Sequence, residues 1–114
     1  MTCKRKKIIA IDFDGTITEE SPYPITGKIR PDAARVIRRL KEEYTCVLWT
    51  CRWGVDLVEA LNILAYNNIV FDYVNQQPGG RNDSRKIRAD IYIDNKGYGT
   101  VIDWKQIEKD LLGE

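Results

Sequence analysis

The chain is predicted to fold as a single α/β domain: a doubly wound, three-layer arrangement of about four to five parallel strands with helices on both faces. Three observations predict it. Short apolar runs rich in β-branched and aromatic residues, at 8–13, 45–50, 70–74 and 90–94, read as strands. Segments of helical period lie between most of them, which is the pattern of βαβ units with right-handed crossovers. Polar and acidic residues gather where the strands end, on the edge where open α/β sheets place their ligands. At 114 residues the chain is long enough for one core and too short for two, so residues 1–114 are taken as one domain.

The elements follow in order. Strand 8–13 ends in Asp12-Phe13-Asp14. Segment 15–31, rich in Gly, Pro, Thr and Glu, reads as a flap-like excursion with a hairpin turning near Thr26-Gly27. Pro31 opens a helix running to about Tyr44, with Ala34, Val36, Ile37 and Leu40 on its apolar face. Strand 45–50 follows, then a turn at 51–54. Helix 55–67 directs Val55, Val58, Leu61, Ile63 and Leu64 inward and stops at Asn67-Asn68. After strand 70–74, residues 75–83 form a loop centred on Pro78-Gly79-Gly80, and Ser84 starts a short turn carrying Arg85 and Lys86. Strand 90–94 comes next, and Asp103 caps a last helix over 104–112. The sequence contains no internal repeat and no low-complexity tract.

Composition narrows the function. Eighteen Lys and Arg balance 17 Asp and Glu to leave a net charge of +1, so bulk charge argues for neither nucleic acid nor membrane. The basic run Lys4-Arg5-Lys6-Lys7 reads as a solubilising flank of the first strand. No apolar run approaches the roughly 18–20 residues that span a bilayer, and the one after the basic run stops at Asp12, too soon for a secretory signal. Cys3, Cys46 and Cys51 are odd in number and lack metal-site spacing, as expected of reduced thiols in a cytoplasmic protein. The chain has no histidine, which excludes Ser–His and Cys–His mechanisms and His-ligated zinc. Acid–base chemistry falls to carboxylates, Lys or Tyr.

Carboxylates at i and i+2 of an extended strand point to the same side. Asp12 and Asp14 would therefore repel unless a cation or a shared proton lay between them. Thr50 after the second strand, Lys86 before the fourth and Asp94 at the end of the fourth converge on the same sheet edge. This set suits phosphoryl transfer. Asp12 is placed to attack phosphorus and form an aspartyl phosphate. Mg²⁺ on hard oxygen ligands, with Asp94 supplying a third carboxylate, would offset the repulsion. Thr50 and Lys86 would bind the equatorial phosphoryl oxygens, and Asp14 would protonate the leaving alkoxide and then activate water. Arg52 suits either a substrate anion or the surface, and Lys86 shares its candidacy with Arg85 and Arg88. Asp90, at the far end of its strand, reads as structural, and Trp49, Trp53 and Trp104 as packing.

In order and spacing, Asp12-Phe13-Asp14-Gly15-Thr16, then Thr50, then Lys86 with Asp94, resemble the motifs of the haloacid dehalogenase superfamily. The stretch 84–94, with Asp103-Trp104 downstream, resembles its small capless, hydrolase-like members of bacteria and phages. The resemblance runs from residue 8 to about 112. It implies a Rossmann-like fold without a cap domain, and Mg²⁺ held by the side chains of Asp12 and Asp94 and the backbone carbonyl of Asp14. An acid at position 14 implies a phosphatase rather than a dehalogenase. One departure stands out: Asp94-Asn95 replaces the adjacent acids of many members, and Asn95 would orient a metal-bound water at weaker affinity.

The function expected is thus a magnesium-dependent phosphatase acting on phosphomonoesters. Its uncapped site would admit a large phosphorylated substrate or be covered by a second copy of the chain. Two alternatives remain open: a phosphate- and metal-binding regulatory module with negligible turnover, and a nucleic-acid end phosphatase using Arg81, Arg85, Lys86 and Arg88.

Overall fold

A computed structural model describes residues 5–79 and 86–113. The readings made for Cys3, Lys4, Gly80, Arg81, Ser84 and Arg85 lie outside the described residues. The elements are β1 (Ile8–Ile11), α1 (Ala33–Glu43), β2 (Thr45–Leu48), α2 (Gly54–Tyr66), β3 (Tyr73–Val74), β4 (Ile91–Ile93) and α3 (Trp104–Leu112). The sheet has the order β3-β2-β1-β4 with every pairing parallel, the α/β class that the alternating pattern predicts. In register, Ile11 lies opposite both Leu48 and Ile93. The carboxyl ends of β1, β2 and β4 are therefore level, and the residues that follow them share one edge.

Ile9, Ile11, Cys46, Leu48 and Ile93 occupy one sheet face and join the buried residues of all three helices in a single core cluster. α1 contributes Val36, Ile37 and Leu40 at helical spacing, and α3 packs beside it. There Glu108 accepts hydrogen bonds from both Arg35 and Arg39, and those guanidiniums hold its carboxyl below the ordinary value. Ala10 and Val47, which point to the opposite face, are buried as well, as is Ile87 ahead of β4. The crossover from β3 to β4 includes residues outside those described.

Several boundaries move for identifiable reasons. β1 stops at Ile11 because the Phe13 carbonyl collects N–H groups from Thr16, Ile17 and Thr18, which turns the chain at once. β3 is shorter than expected because the Asp72 carboxylate, not a backbone carbonyl, accepts from the Cys46 N–H at 2.8 Å. The flap closes through one antiparallel bridge, Thr18 with Ile29, and its turn sits at 22–25 rather than at Thr26-Gly27. Gly27 lies within the flap instead, where a Cβ would stand 2.2 Å from the Glu19 carbonyl oxygen. Asp103 caps α3 as expected, accepting from the N–H groups of Lys105 and Gln106.

α2 corrects the sequence reading. Ala60 and Leu64 are its buried positions, whereas Val55 and Val58, expected to face inward, are 84% and 55% exposed. The helix is apolar on most of its sides, so its periodicity does not select the buried stripe. Leu64→Ala should cost about 2–4 kcal/mol by chemical denaturation, while Val58→Ala should change stability by no more than about 0.5 kcal/mol. Equal costs at the two positions would refute this orientation.

Candidate functional site

The site is built on the loop that leaves β1. Gly15 has φ +78°, and a Cβ there would meet the Asn95 amide at 2.4 Å, so both backbone conformation and space require glycine. The Gly15 N–H donates to Thr18 Oγ1 at 3.1 Å. Arg30 reaches back from the flap to donate to the carbonyls of Gly15 (2.8 Å) and Thr18 (3.1 Å). From below, the indole N–H of buried Trp104 donates to the Thr16 carbonyl at 3.0 Å. The loop that carries the acids is thus fixed by the flap and by α3. Trp104 packs, as the sequence suggests, but its hydrogen bond and the clamp by Arg30 carry no sequence signal.

Asp12 follows β1 directly, and its N–H continues the ladder to the Ile93 carbonyl. Burial raises its carboxyl from the ordinary 3.8 to about 6, and the neighbouring charges of Asp94 and, less strongly, Asp14 push the same way. The Thr16 hydroxyl, which donates to Asp12 Oδ2 at 3.1 Å, opposes the shift. Asp94 lies at the end of β4 as expected, and one of its oxygens accepts from the Lys96 N–H.

Asn95 completes the cluster. One terminal atom of its amide lies 3.1 Å from Asp12 Oδ2, 3.2 Å from the Asp14 carbonyl oxygen and 3.2 Å from Thr16 Oγ1. With nitrogen there, the amide donates to those oxygens. With oxygen there, it stands from each of them about as far as neighbouring ligands of one hard cation stand from each other, about 3 Å for bonds of about 2.1 Å. Among the described residues no cluster of three His, Cys, Asp or Glu side chains could hold a metal. A hard cation here would have to draw on carboxylates together with the Asp14 carbonyl and the Asn95 amide oxygen. Asn95, expected to orient a metal-bound water, lies within hydrogen-bonding reach of Asp12 and of the Asp14 carbonyl.

Asp14 and Arg52 depart from expectation. The guanidinium of Arg52, 1% exposed, donates to both Asp14 oxygens, Nε at 2.8 Å and Nη2 at 2.7 Å. This corrects the reading of Arg52 as a phosphate-binding or surface residue: its charge is spent inside the molecule on Asp14. The Asp14 side chain, 31% exposed, is the solvent-facing member of the pair.

Thr50 sits at the expected edge. Its oxygen accepts from the Arg52 N–H at 3.1 Å, and its own N–H donates to Asn75 Oδ1 at 2.8 Å. Asn75, in the left-handed region at φ +50°, anchors the end of β2 and was not legible as a site residue. The Lys86 ammonium lies 5.1 Å over the Tyr92 ring on the edge strand β4. Asp90 is structural, exchanging hydrogen bonds with the backbone of Ile8. Trp53, read as packing, is 79% exposed. Cys46 is a buried thiol pushed up to about 12, without nucleophilic character.

No family model and no curated protein matches the chain. A solved structure described as the conserved protein coded by a locus from Bacteroides thetaiotaomicron is similar to it at 33% sequence identity. The match covers 96% of this chain and 92% of that one, with a TM-score of 0.86.

A raised carboxyl links stability to pH with a definite sign. Folded Asp12 holds its proton more tightly than the unfolded chain does, so its contribution is fully present below 3.8 and is lost as pH rises through about 6. In chelator, the melting temperature of Asp12→Asn should gain on that of the wild type between pH 4.5 and 7.5, and a constant difference would contradict the assignment. Gly15→Ala should cost about 1–2 kcal/mol from the left-handed backbone alone, read by urea unfolding.

Proposed function

The chain belongs to the same family as the conserved Bacteroides thetaiotaomicron protein, and from the acid site at its sheet edge we propose that it is a magnesium-dependent phosphomonoesterase of the haloacid dehalogenase superfamily. The observation that carries this reading is that Asp12 Oδ2 and the Asp14 carbonyl oxygen, where β1 ends, both lie within 3.2 Å of the Asn95 amide, where β4 ends. Asp94 adds its negative charge beside Asp12.

In this reading a carboxylate oxygen of Asp12 attacks phosphorus in line with the ester oxygen. The P–O bond to the leaving group breaks, and an aspartyl phosphate forms. Asp12, Asp94, the Asp14 carbonyl and Asn95 are the residues that would hold Mg²⁺. When bound, the ion would offset the repulsion between the Asp12 carboxylate and the phosphate dianion. The Thr50 hydroxyl, whose oxygen already accepts from Arg52, keeps its proton to donate to a phosphoryl oxygen. Lys86 would supply positive charge to the same group after leaving the Tyr92 ring. Asp14 would give a proton to the departing alkoxide, then take one from the water that hydrolyses the acyl phosphate. That role requires one Asp14 oxygen to be released from Arg52.

The same pairing favours a second reading. With both oxygens of Asp14 held by a guanidinium, the chain would bind Mg²⁺ and phosphate but turn over negligibly, as a regulatory module.

A phosphoester panel supplemented with Mg²⁺ separates the two. The phosphatase reading expects phosphate release from an aryl phosphate that is abolished by chelator. It expects a fall of roughly 10³-fold or more in Asp12→Asn, and of roughly 10²–10³-fold when Thr50 or Lys86 is replaced by Ala. Activity that survives Asp12→Asn would remove the nucleophile. Binding of Mg²⁺ and beryllium trifluoride without turnover of any ester would select the regulatory module.

A further inference from the structure

Arg52 is among the largest fully buried side chains of the described residues, and it is charged. A buried guanidinium persists only where its charge and its N–H groups are met, and those of Arg52 are met by separate parts of the chain. Nε and Nη2 grip Asp14 in the loop after β1. Nη2 also donates to the Pro24 carbonyl at 3.1 Å, in the turn of the flap, and to Thr26 Oγ1 at 3.2 Å, just after it. Nη1 donates to the Asp56 carbonyl at 3.1 Å and lies 3.6 Å from a Glu59 carboxylate oxygen, both in α2. The guanidinium carbon lies 5.1 Å from the centroid of the Phe13 ring and 5.5 Å from that of Tyr23.

The flap turn makes matching contacts with α2. The Tyr23 hydroxyl donates to Asp56 at 3.1 Å, and the Thr26 hydroxyl donates to Glu59 at 3.2 Å. The turn cannot lift from α2 without taking acceptors away from Arg52. Asp14 cannot swing toward a leaving group without surrendering one arm of a bidentate pair.

We propose that Arg52 is a positioning residue that couples the flap to Asp14, so that the seating of flap residues 22–26 and the placement of the Asp14 carboxylate are one event. Where it concerns turnover, this rests on the phosphatase reading. Arg52 touches neither the phosphorus nor the ester oxygen and acts through Asp14. A substrate that draws one Asp14 oxygen off the guanidinium loosens the turn, and a seated turn keeps the guanidinium in place to hold the other oxygen. Coupling between two sites is reciprocal, so it can be read from either end.

Hydrogen exchange of the full-length chain reads it from the acid end. Asp14→Asn should speed exchange of the Ile25 N–H, which donates to the Pro22 carbonyl in the turn, by roughly tenfold, with the amides of β1 and β2 unchanged. Arg52→Lys, which keeps the charge and loses the planar fork, should fall between wild type and Asp14→Asn. Unchanged exchange at Ile25 in Asp14→Asn would overturn the coupling. Steady-state kinetics reads it from the flap end. Thr26→Val, which leaves every acid in place, should lower kcat several-fold on an aryl phosphate with little change in KM. An unaltered kcat would likewise overturn the proposal. Should the wild type release no phosphate from any ester, the phosphatase reading falls, and the exchange result alone decides the coupling.

Discussion

Two carboxylates one residue apart at the end of a buried strand repel each other, and the rest of this structure follows from how that repulsion is met. Asp14 receives a buried arginine that takes both of its oxygens. Asp12 receives no cation from the described residues but neutral donors, the Thr16 hydroxyl and the Phe13 backbone, beside the Asn95 amide and the repulsion of Asp94. One acid is neutralised by the protein. The other is left charged only at a cost, which in the proposed function an external cation would offset. Had the arginine faced Asp12, the edge would be an internal ion pair with no chemistry to offer.

This unequal treatment explains where the chain spends its less common features. Gly15 takes a left-handed conformation so that Asn95 can approach the loop. Arg30 from the flap and Trp104 from α3 hold the loop carbonyls of Gly15 and Thr16. Asn75 adopts φ +50° to fix the end of β2 beside Thr50. Arg30, Asn75 and Trp104 lie away from the acids in sequence and next to them, or to the residues that orient them, in space. The flap is part of the same arrangement, because its turn supplies acceptors that a buried guanidinium needs.

What could be read from the sequence was local. A strand ending in Asp-Phe-Asp-Gly-Thr and an Asp capping the last helix are each decided by neighbours a few residues away, and those readings agree with the structure. What could not be read depends on distant partners. An arginine in an exposed-looking turn gives no hint that its acceptors are a proline carbonyl and a threonine 26–28 residues earlier. A helix apolar on most sides does not declare which stripe it buries, and Val55 and Val58 were misplaced for that reason. Lys86 could be placed by its order in the chain, but its stacking on Tyr92 comes from tertiary packing.

The bonds that finish the acid loop have a consequence for the order of folding. Thr16 is joined to Asn95 and Trp104 across 79 and 88 residues of chain. Contacts of such high sequence separation bring no gain until a long loop has been closed against its entropy. Pairing of β1 with β2 through α1 is far more local and can come first. The acids therefore receive their framework late, after β4 and α3 have docked, and lose it early when either one detaches. A partly folded chain with β1 and β2 in place already carries the Asp-Phe-Asp segment, yet it has neither the Asn95 amide nor the Trp104 indole that gives the loop its shape.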